Sequence, residues 1–119
     1  LVLMAAYSMI GTYNYFSWNR ARWQAGRDLI TAGIPATTIE GGFEWDGWYI
    51  YGKSSLSNND SLKFSAAPWY VQDWFPDHRM IYVLSLSPVP NYDVIRTLPV
   101  SGIASNIHHL YVSKRAGTR

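Results

Sequence analysis

The 119-residue sequence predicts an α/β fold: a small mixed β-sheet of about four strands with helices packed against it, preceded by the end of an apolar, transmembrane-type helix. Two observations lead to this class. A helical pattern precedes a short β-branched segment, and three strand-like segments follow one another between residues 80 and 114. Because no repeat or second domain is evident, we divide the chain into residues 1–16, the end of the apolar helix, and residues 17–119, a single α/β domain.

The apolar start carries no charge before Arg20 and is shorter than the roughly 20 residues that a complete membrane span needs. It ends in four aromatic residues, Tyr13, Tyr15, Phe16 and Trp18. Aromatic side chains are typical of the point where a transmembrane helix enters the headgroup region. We therefore interpret this segment as the end of a span that belongs to a longer protein, with a buried core helix as the alternative.

Residues 17–32 have the pattern of a helix with two apolar seams. The first seam comprises Trp18, Ala21, Ala25, Leu29 and Ala32, and the second comprises Phe16, Trp23 and Ile30. A helix that is apolar on two sides is normally enclosed between layers. Ser17 is the predicted N-cap, and Gly33, followed by Pro35, is the predicted residue just past the helix end.

Two arginines, Arg20 and Arg27, flank the second seam. The ordinary interpretation is that both are solvated, with their aliphatic stems lying along the apolar surface. The alternative is that they bind an anion such as a lipid phosphate.

The next segment turns a corner at two glycines. Residues 37–40 contain the β-branched run Thr-Thr-Ile and predict a short strand, and Gly41-Gly42 permits a tight turn. Residues 43–51 fit a helix or a second strand, and we favour the helix because strand, glycine turn and helix form a common α/β corner. A helix would bring Glu40 close to Glu44 but would separate Glu44 from Asp46.

The rest of the chain predicts a loop, a helix and three strands. Residues 52–67 are polar and predict an exposed loop, and residues 68–75 predict a short helix with proline in its first turn. Strands are predicted at 80–86, 92–100 and 109–114. The first of these is almost continuously apolar, which is typical of a central strand covered on both faces.

Composition excludes several classes of function. A net charge of +2 without a basic run does not indicate nucleic-acid binding. The chain has no cysteine, and adjacent residues such as His108 and His109 point to opposite faces of a strand, so no metal site is predicted. Nucleophile elbows, phosphate loops and dinucleotide fingerprints are absent from the sequence, and no cofactor is expected.

Glu44 and Asp46 are the one pair of acids that suggests catalysis. A glycosidase needs two carboxyl groups about 5 to 10 Å apart on either side of a bond. Residues two apart on one surface do not flank a bond, so we expect both acids to cap or solvate the corner. Phe43, Trp45 and at least one of Trp48 and Tyr49 are expected to pack inward, against the small residues of the first helix seam.

The helix and the corner together resemble a known family. Trp18–Trp23, Gly33–Trp48 and Ser87–Val94 match "W-N-R-A-R-W", "G-I-x-x-x-x-I-x-G-G-F-E-W-x-G-W" and a "P-x-P-x-Y-x-V" turn that follows a strand. The pattern resembles the segment after the last transmembrane helix in some bacterial glycosyltransferases of the dolichyl-phosphate-mannose-protein mannosyltransferase type. The match covers most of the chain.

This resemblance implies a membrane enzyme that moves a sugar from a polyprenyl-phosphate donor to an acceptor. In such enzymes the catalytic acid lies in an early loop of the multi-span part, so no catalytic residue is expected in this chain. The resemblance also implies an extracytoplasmic domain at the cell membrane. The arginines after the apolar run would instead favour a cytoplasmic side. We follow the resemblance.

The sequence therefore predicts a non-catalytic accessory domain of a membrane glycosyltransferase. Its expected partners are the membrane, through the apolar start, and a carbohydrate or polyprenyl-phosphate sugar. The candidate ligand-binding residues are Arg20, Glu44, Trp45, Asp46 and Trp48. The alternatives are a free-standing carbohydrate- or peptide-binding module that uses exposed aromatics and, less favoured, a small glycoside hydrolase that uses Glu44 and Asp46.

Overall fold

A computed structural model describes residues 1–50 and 80–118 and has a mixed four-stranded sheet with helices, the predicted α/β class. In chain order the elements are helix α1 (Val2–Thr31), a 3-10 turn (Ala36–Thr38), β1 (Ile39–Glu40), α2 (Phe43–Tyr49), β2 (Tyr82–Ser85), β3 (Tyr92–Pro99) and β4 (His109–Arg115). Each strand predicted in these ranges is confirmed, with ends shifted by one or two residues. The predicted loop 52–67 and helix 68–75 lie outside the described residues.

Helix α1 is one continuous helix of 30 residues, so the predicted break before residue 17 is wrong. Ser17 lies inside the helix and is not its N-cap, because the apolar and amphipathic segments share one unbroken set of backbone hydrogen bonds. The predicted end is confirmed. Gly33 has φ +88°, and the N–H groups of Gly33 and Ile34 donate to the carbonyls of Ile30 and Leu29 at 2.9 and 3.0 Å, which is a Schellman termination.

The sheet has the order β1-β2-β4-β3, with β1 parallel to β2 and the other two pairs antiparallel. β2 is central, and its consecutive residues Val83 and Leu84 are both buried. Since neighbouring residues of a strand face opposite sides, β2 is covered on both faces, as its apolar run predicted. β3 forms one edge and carries an irregularity between Val94 and Arg96.

The main core lies between the sheet and the second half of α1. It contains Ala25, Ile39, Trp45, Leu84, Val100, Leu110 and Val112, with Trp18, Trp23, Leu29 and Ile30 of α1 packed around them. Both predicted seams of α1 therefore contribute to the core. Phe16, at the start of the second seam, is exposed, because it lies beyond the edge of this core.

Trp45 is fully buried at the centre of this arrangement, where two glycines make room for its ring. A Cβ atom added to Gly26 of α1 would lie 2.2 Å from the indole, and one added to Gly41 would lie 2.5 Å from it. The indole also contacts the rings of Trp23 and Tyr49, with centroids 5.1 and 4.4 Å away. The expectation that the corner aromatics pack against small residues of the helix is confirmed for Trp45, which lies against Gly26 and in one cluster with Ala25. Tyr49 also packs inward, but against the rings of Trp23 and Trp45.

The same expectation is wrong for Phe43, whose side chain is 47% exposed. Trp48 is 75% exposed. α2 is only seven residues long, and its inner face already carries the buried side chains of Trp45 and Asp46. Phe43 and Trp48 consequently lie on the side of the helix that faces solvent.

Among the described residues, no helix combines the length and hydropathy needed to cross a membrane.

We expect Trp45→Ala to lower the free energy of unfolding by about 3–5 kcal/mol, because it removes a fully buried indole from the core. Trp48→Ala is the matched control and should stay within about 0.5 kcal/mol, since its ring is exposed. Chemical denaturation of both variants measures the difference. Equal stabilities would contradict the placement of Trp45 in the core.

Glycine-to-alanine substitutions in α1 should have opposite signs at two positions. Gly26→Ala places a methyl group against Trp45 and is expected to destabilise the domain by about 1–3 kcal/mol through overpacking. Gly11→Ala meets no atom within 4 Å and should gain up to about 1 kcal/mol from helix propensity. Thermal melting of the two variants tests this, and a stabilising Gly26→Ala would overturn the packing argument.

Candidate functional site

The Gly41-Gly42 corner between β1 and α2 gathers the polar side chains that could carry chemistry. Gly42 has φ +89°, a backbone conformation that residues with a Cβ rarely adopt. A Cβ at Gly42 would also lie 2.3 Å from Nη1 of Arg22 in α1. The positive φ is therefore the reason that the turn needs glycine at position 42, and Arg22 would have to shift if a side chain stood there.

Arg22 is buried and reaches this corner from α1. Its Nη2 donates to Oε2 of Glu44 at 2.9 Å and to Oδ1 of Asn19 at 2.5 Å, and its guanidinium lies 4.8 Å from the centroid of the Trp18 ring. Oε1 of Glu44 accepts a hydrogen bond of 3.0 Å from the Tyr15 hydroxyl. Glu44 thus joins two turns of α1 to α2.

Opposing effects act on the pKa of Glu44. Partial burial acts to raise it, but hydrogen bonds from its own backbone N–H, Arg22 and Tyr15, together with the positive charge of Arg22, outweigh burial and lower the pKa. Glu44 therefore stays ionised near neutral pH and balances the charge of the buried guanidinium.

A second carboxyl pair, Glu40 and Asp46, lies on the buried side of the corner; Glu40 is 5% exposed and Asp46 0%. Oε1 of Glu40 accepts the Gly42 N–H at 2.9 Å, and Asp46 accepts a hydrogen bond from the Gly41 backbone. Burial and the neighbouring Glu40 carboxylate, with which Asp46 shares a hydrogen bond, raise the pKa of Asp46 to about 9. At neutral pH the two carboxyl groups therefore share one proton.

The expectation that Asp46 lies on the surface is consequently wrong. The glycine turn rotates β1 relative to α2, so that Glu40 meets Asp46, while Glu44 points to Arg22 and Tyr15. Because Asp46 has no exposed surface, it cannot face Glu44 across a glycosidic bond that binds from solvent in this conformation. The arrangement stabilises the corner and does not supply the geometry of a glycosidase.

The five predicted ligand-binding residues divide into three environments. Trp45 and Asp46 are buried inside the corner, where a ligand from solvent does not reach them. Glu44 is half exposed and ion-paired with Arg22, and Trp48 faces solvent on α2. Arg20 is exposed. It is about 200° around the axis of α1 from Arg22, so it lies on another face of the helix, away from the corner.

Arg20 lines a groove of about 490 Å³ between α1 and the end of β3. Its α1 side is formed by residues that include Tyr13, Phe16 and Arg20, and its sheet side by Leu98, Pro99 and Ser101. The loop after β3 is fixed to α1 beside it, because the Asn14 side chain donates to the carbonyl of Ile103 at 2.9 Å and accepts its N–H at 2.8 Å.

Sequence reasoning missed two residues of the corner, Arg22 and Glu40. A signal for Arg22 was present, because positions 18, 21, 22, 25 and 29 form one helix stripe and Arg22 is the one charged residue in it. An arginine in an apolar stripe predicts a buried acidic partner. Nothing in the sequence indicated that Asp46 would be the partner of Glu40, since that depends on the rotation at Gly42.

Among residues 1–50 and 80–118, no three side chains of the histidine, cysteine, aspartate or glutamate types converge as metal ligands. Comparison of the chain with protein-family models, with curated protein sequences and with solved structures found no match. The resemblance to membrane glycosyltransferases therefore stays a prediction.

The raised pKa of Asp46 predicts a pH-dependent stability. Between the unfolded pKa near 4 and the folded value of about 9, the folded state binds more protons than the unfolded state, so stability decreases as pH rises. One such proton gives a slope of at most about 1.4 kcal/mol per pH unit. Asp46→Asn mimics the protonated acid and should flatten this slope and stabilise the domain at pH 8.

Urea denaturation at several pH values between 5 and 9 measures this effect. The control is Glu44→Gln, which should leave the slope in place because the pKa of Glu44 is lowered, not raised. An unchanged slope in Asp46→Asn would show that another group binds the proton.

Proposed function

We propose that this chain is a non-catalytic accessory domain of a membrane glycosyltransferase that uses a polyprenyl-phosphate sugar, held against the extracytoplasmic face of the cell membrane by the first turns of α1. The observation that carries the proposal is the exposed apolar surface of those turns. Leu1, Val2, Leu3, Met4, Tyr7 and Met9 are large apolar side chains, and each is more than 70% exposed.

The exposed turns continue without a break into the helix that packs on the sheet. Residues 1–10 span about 15 Å of helix, a length comparable to one leaflet of a bilayer core. A contiguous apolar surface of this kind marks an interaction site for a membrane or for other apolar helices. The rigid connection would fix the domain's distance and orientation relative to that environment.

The corner supports the non-catalytic part of the proposal. Its carboxyl groups are used within the domain: Glu44 balances Arg22, and Asp46 shares a proton with Glu40. The Glu44–Arg22 ion pair joins α2 to α1, and the Asp46–Glu40 pair joins α2 to β1. Together with the Schellman termination, these contacts hold the C-terminal half of α1 in the domain.

Deletion of residues 1–10 tests the proposal directly. Among the described residues, the first hydrogen bonds from side chains of α1 to other elements are those of Asn14 and Tyr15, so we expect the shortened chain to keep its melting temperature. It should lose the binding to phospholipid vesicles that we expect of the full chain, measured by flotation. Loss of cooperative melting would show instead that these turns belong to the core.

Two further measurements test whether this chain is a non-catalytic part of a membrane glycosyltransferase. The isolated chain, offered polyprenyl-phosphate sugars and acceptors, should transfer no sugar above background. The reading frame upstream of the Leu1 codon should encode several apolar spans. Sugar transfer that disappears in Glu44→Gln, or an upstream frame without spans, would contradict the proposal.

A free-standing module that binds carbohydrate or peptide is the second candidate, and the exposure of Phe43 and Trp48 favours it. Exposed rings on one short helix can stack on a sugar. Trp48→Ala separates the two candidates: a loss of oligosaccharide binding with unchanged stability supports the module, and no binding by either protein supports the accessory domain.

A further inference from the structure

Among the described residues that line the groove between α1 and the end of β3, Arg20 is the one charged residue. Arg20 is exposed at its wall, and it forms no ion pair with any residue in the described part of the chain. None of the described residues that line the groove is acidic. Ser17 and Ser101, whose side chains carry hydroxyl donors, belong to the same lining. A guanidinium and two hydroxyl-bearing residues in one groove suit a phosphate group.

The remaining walls of the groove are apolar and aromatic. Tyr13 and Phe16 are about half exposed and lie on the α1 side, with Leu98 and Pro99 opposite them. A free inorganic anion gains nothing from such walls, whereas an amphiphile with an anionic head can use both parts. The groove therefore favours an amphiphilic occupant.

The position of the groove along α1 indicates where that occupant comes from. The exposed apolar turns end near residue 10. Tyr13 and Phe16 follow within the next two turns of the helix. Arg20 comes last, about 15 Å beyond residue 10 along the helix axis. Apolar, aromatic and basic residues in this order match the acyl, interfacial and headgroup levels of a membrane leaflet.

We propose that this groove binds the phosphate headgroup of an anionic membrane phospholipid, with Arg20 as the phosphate ligand and Tyr13 and Phe16 against the adjoining glycerol and acyl region. The inference rests on the proposed contact of α1 with a membrane. It adds a defined lipid site to that contact and assigns Arg20 a role that Arg27 does not share. Nη2 of Arg27 donates a hydrogen bond to the side chain of Gln24, and Arg27 does not line the groove.

The test measures cosedimentation of the full chain with vesicles of phosphatidylcholine alone and of phosphatidylcholine mixed with phosphatidylglycerol. We expect tighter binding to the anionic vesicles. Arg20→Gln should reduce that binding about fivefold, the usual contribution of one basic residue near an anionic surface, and leave binding to neutral vesicles unchanged. Arg27→Gln, which removes the same charge from the same helix, should reduce it less than twofold.

A second variant, Ser101→Phe, fills the groove and leaves Arg20 in place. If the groove binds the headgroup, this variant should lose as much anionic preference as Arg20→Gln. Circular dichroism should show both variants folded, since both side chains are exposed. Inorganic phosphate, compared with chloride at equal ionic strength, should not displace the chain from the vesicles.

Three other outcomes would each contradict the proposed lipid site. If the chain binds vesicles but Arg20→Gln and Arg27→Gln behave alike, the lipid site is wrong and the membrane contact stands. Displacement by inorganic phosphate would identify a site for free anions and overturn the lipid assignment. If the full chain binds neither kind of vesicle, the lipid site and the proposed membrane contact fail together.

Discussion

The insertion of the Trp45 indole between Gly26 and Gly41 is the contact on which the rest of the fold depends. It places one ring across three elements, because Gly26 belongs to α1, Gly41 follows β1, and Trp45 belongs to α2. Each glycine removes a Cβ atom that would otherwise occupy the volume of the ring. The close approach of α1 to the corner is a consequence, and it brings Arg22 within reach of Glu44.

That close approach also buries charge, and burial of charge is tolerated only where partners are provided. Arg22 has Glu44, Asn19 and the face of Trp18, while Asp46 avoids a buried charge by keeping its proton beside Glu40. These polar contacts are directional, unlike the contact of the indole with its neighbours. They fix the rotation of α2 and so decide that Trp45 points inward and Trp48 outward.

The two ends of α1 have different physical roles. Its second half is held by the core, the corner and the ion pair of 2.8 Å between Asp28 and Arg96 of β3. Its first turns present large apolar side chains that are more than 70% exposed, and the groove beside Arg20 lies between these two regions. The continuity of α1 between its exposed apolar turns and the core is the observation on which both functional proposals rest.

The sequence by itself determined the elements whose signals are local. Gly33 set the end of α1, the apolar run of β2 set a central strand, and Gly41-Gly42 set the corner. It did not determine that α1 is continuous, because Ser17 can cap a helix or lie inside one. The burial of Asp46 and the exposure of Phe43 were decided by the tertiary structure. A seven-residue helix has too few positions for its periodicity to fix its rotation, so the packing of Trp45 against Gly26 and the pairing of Glu44 with Arg22 fixed it.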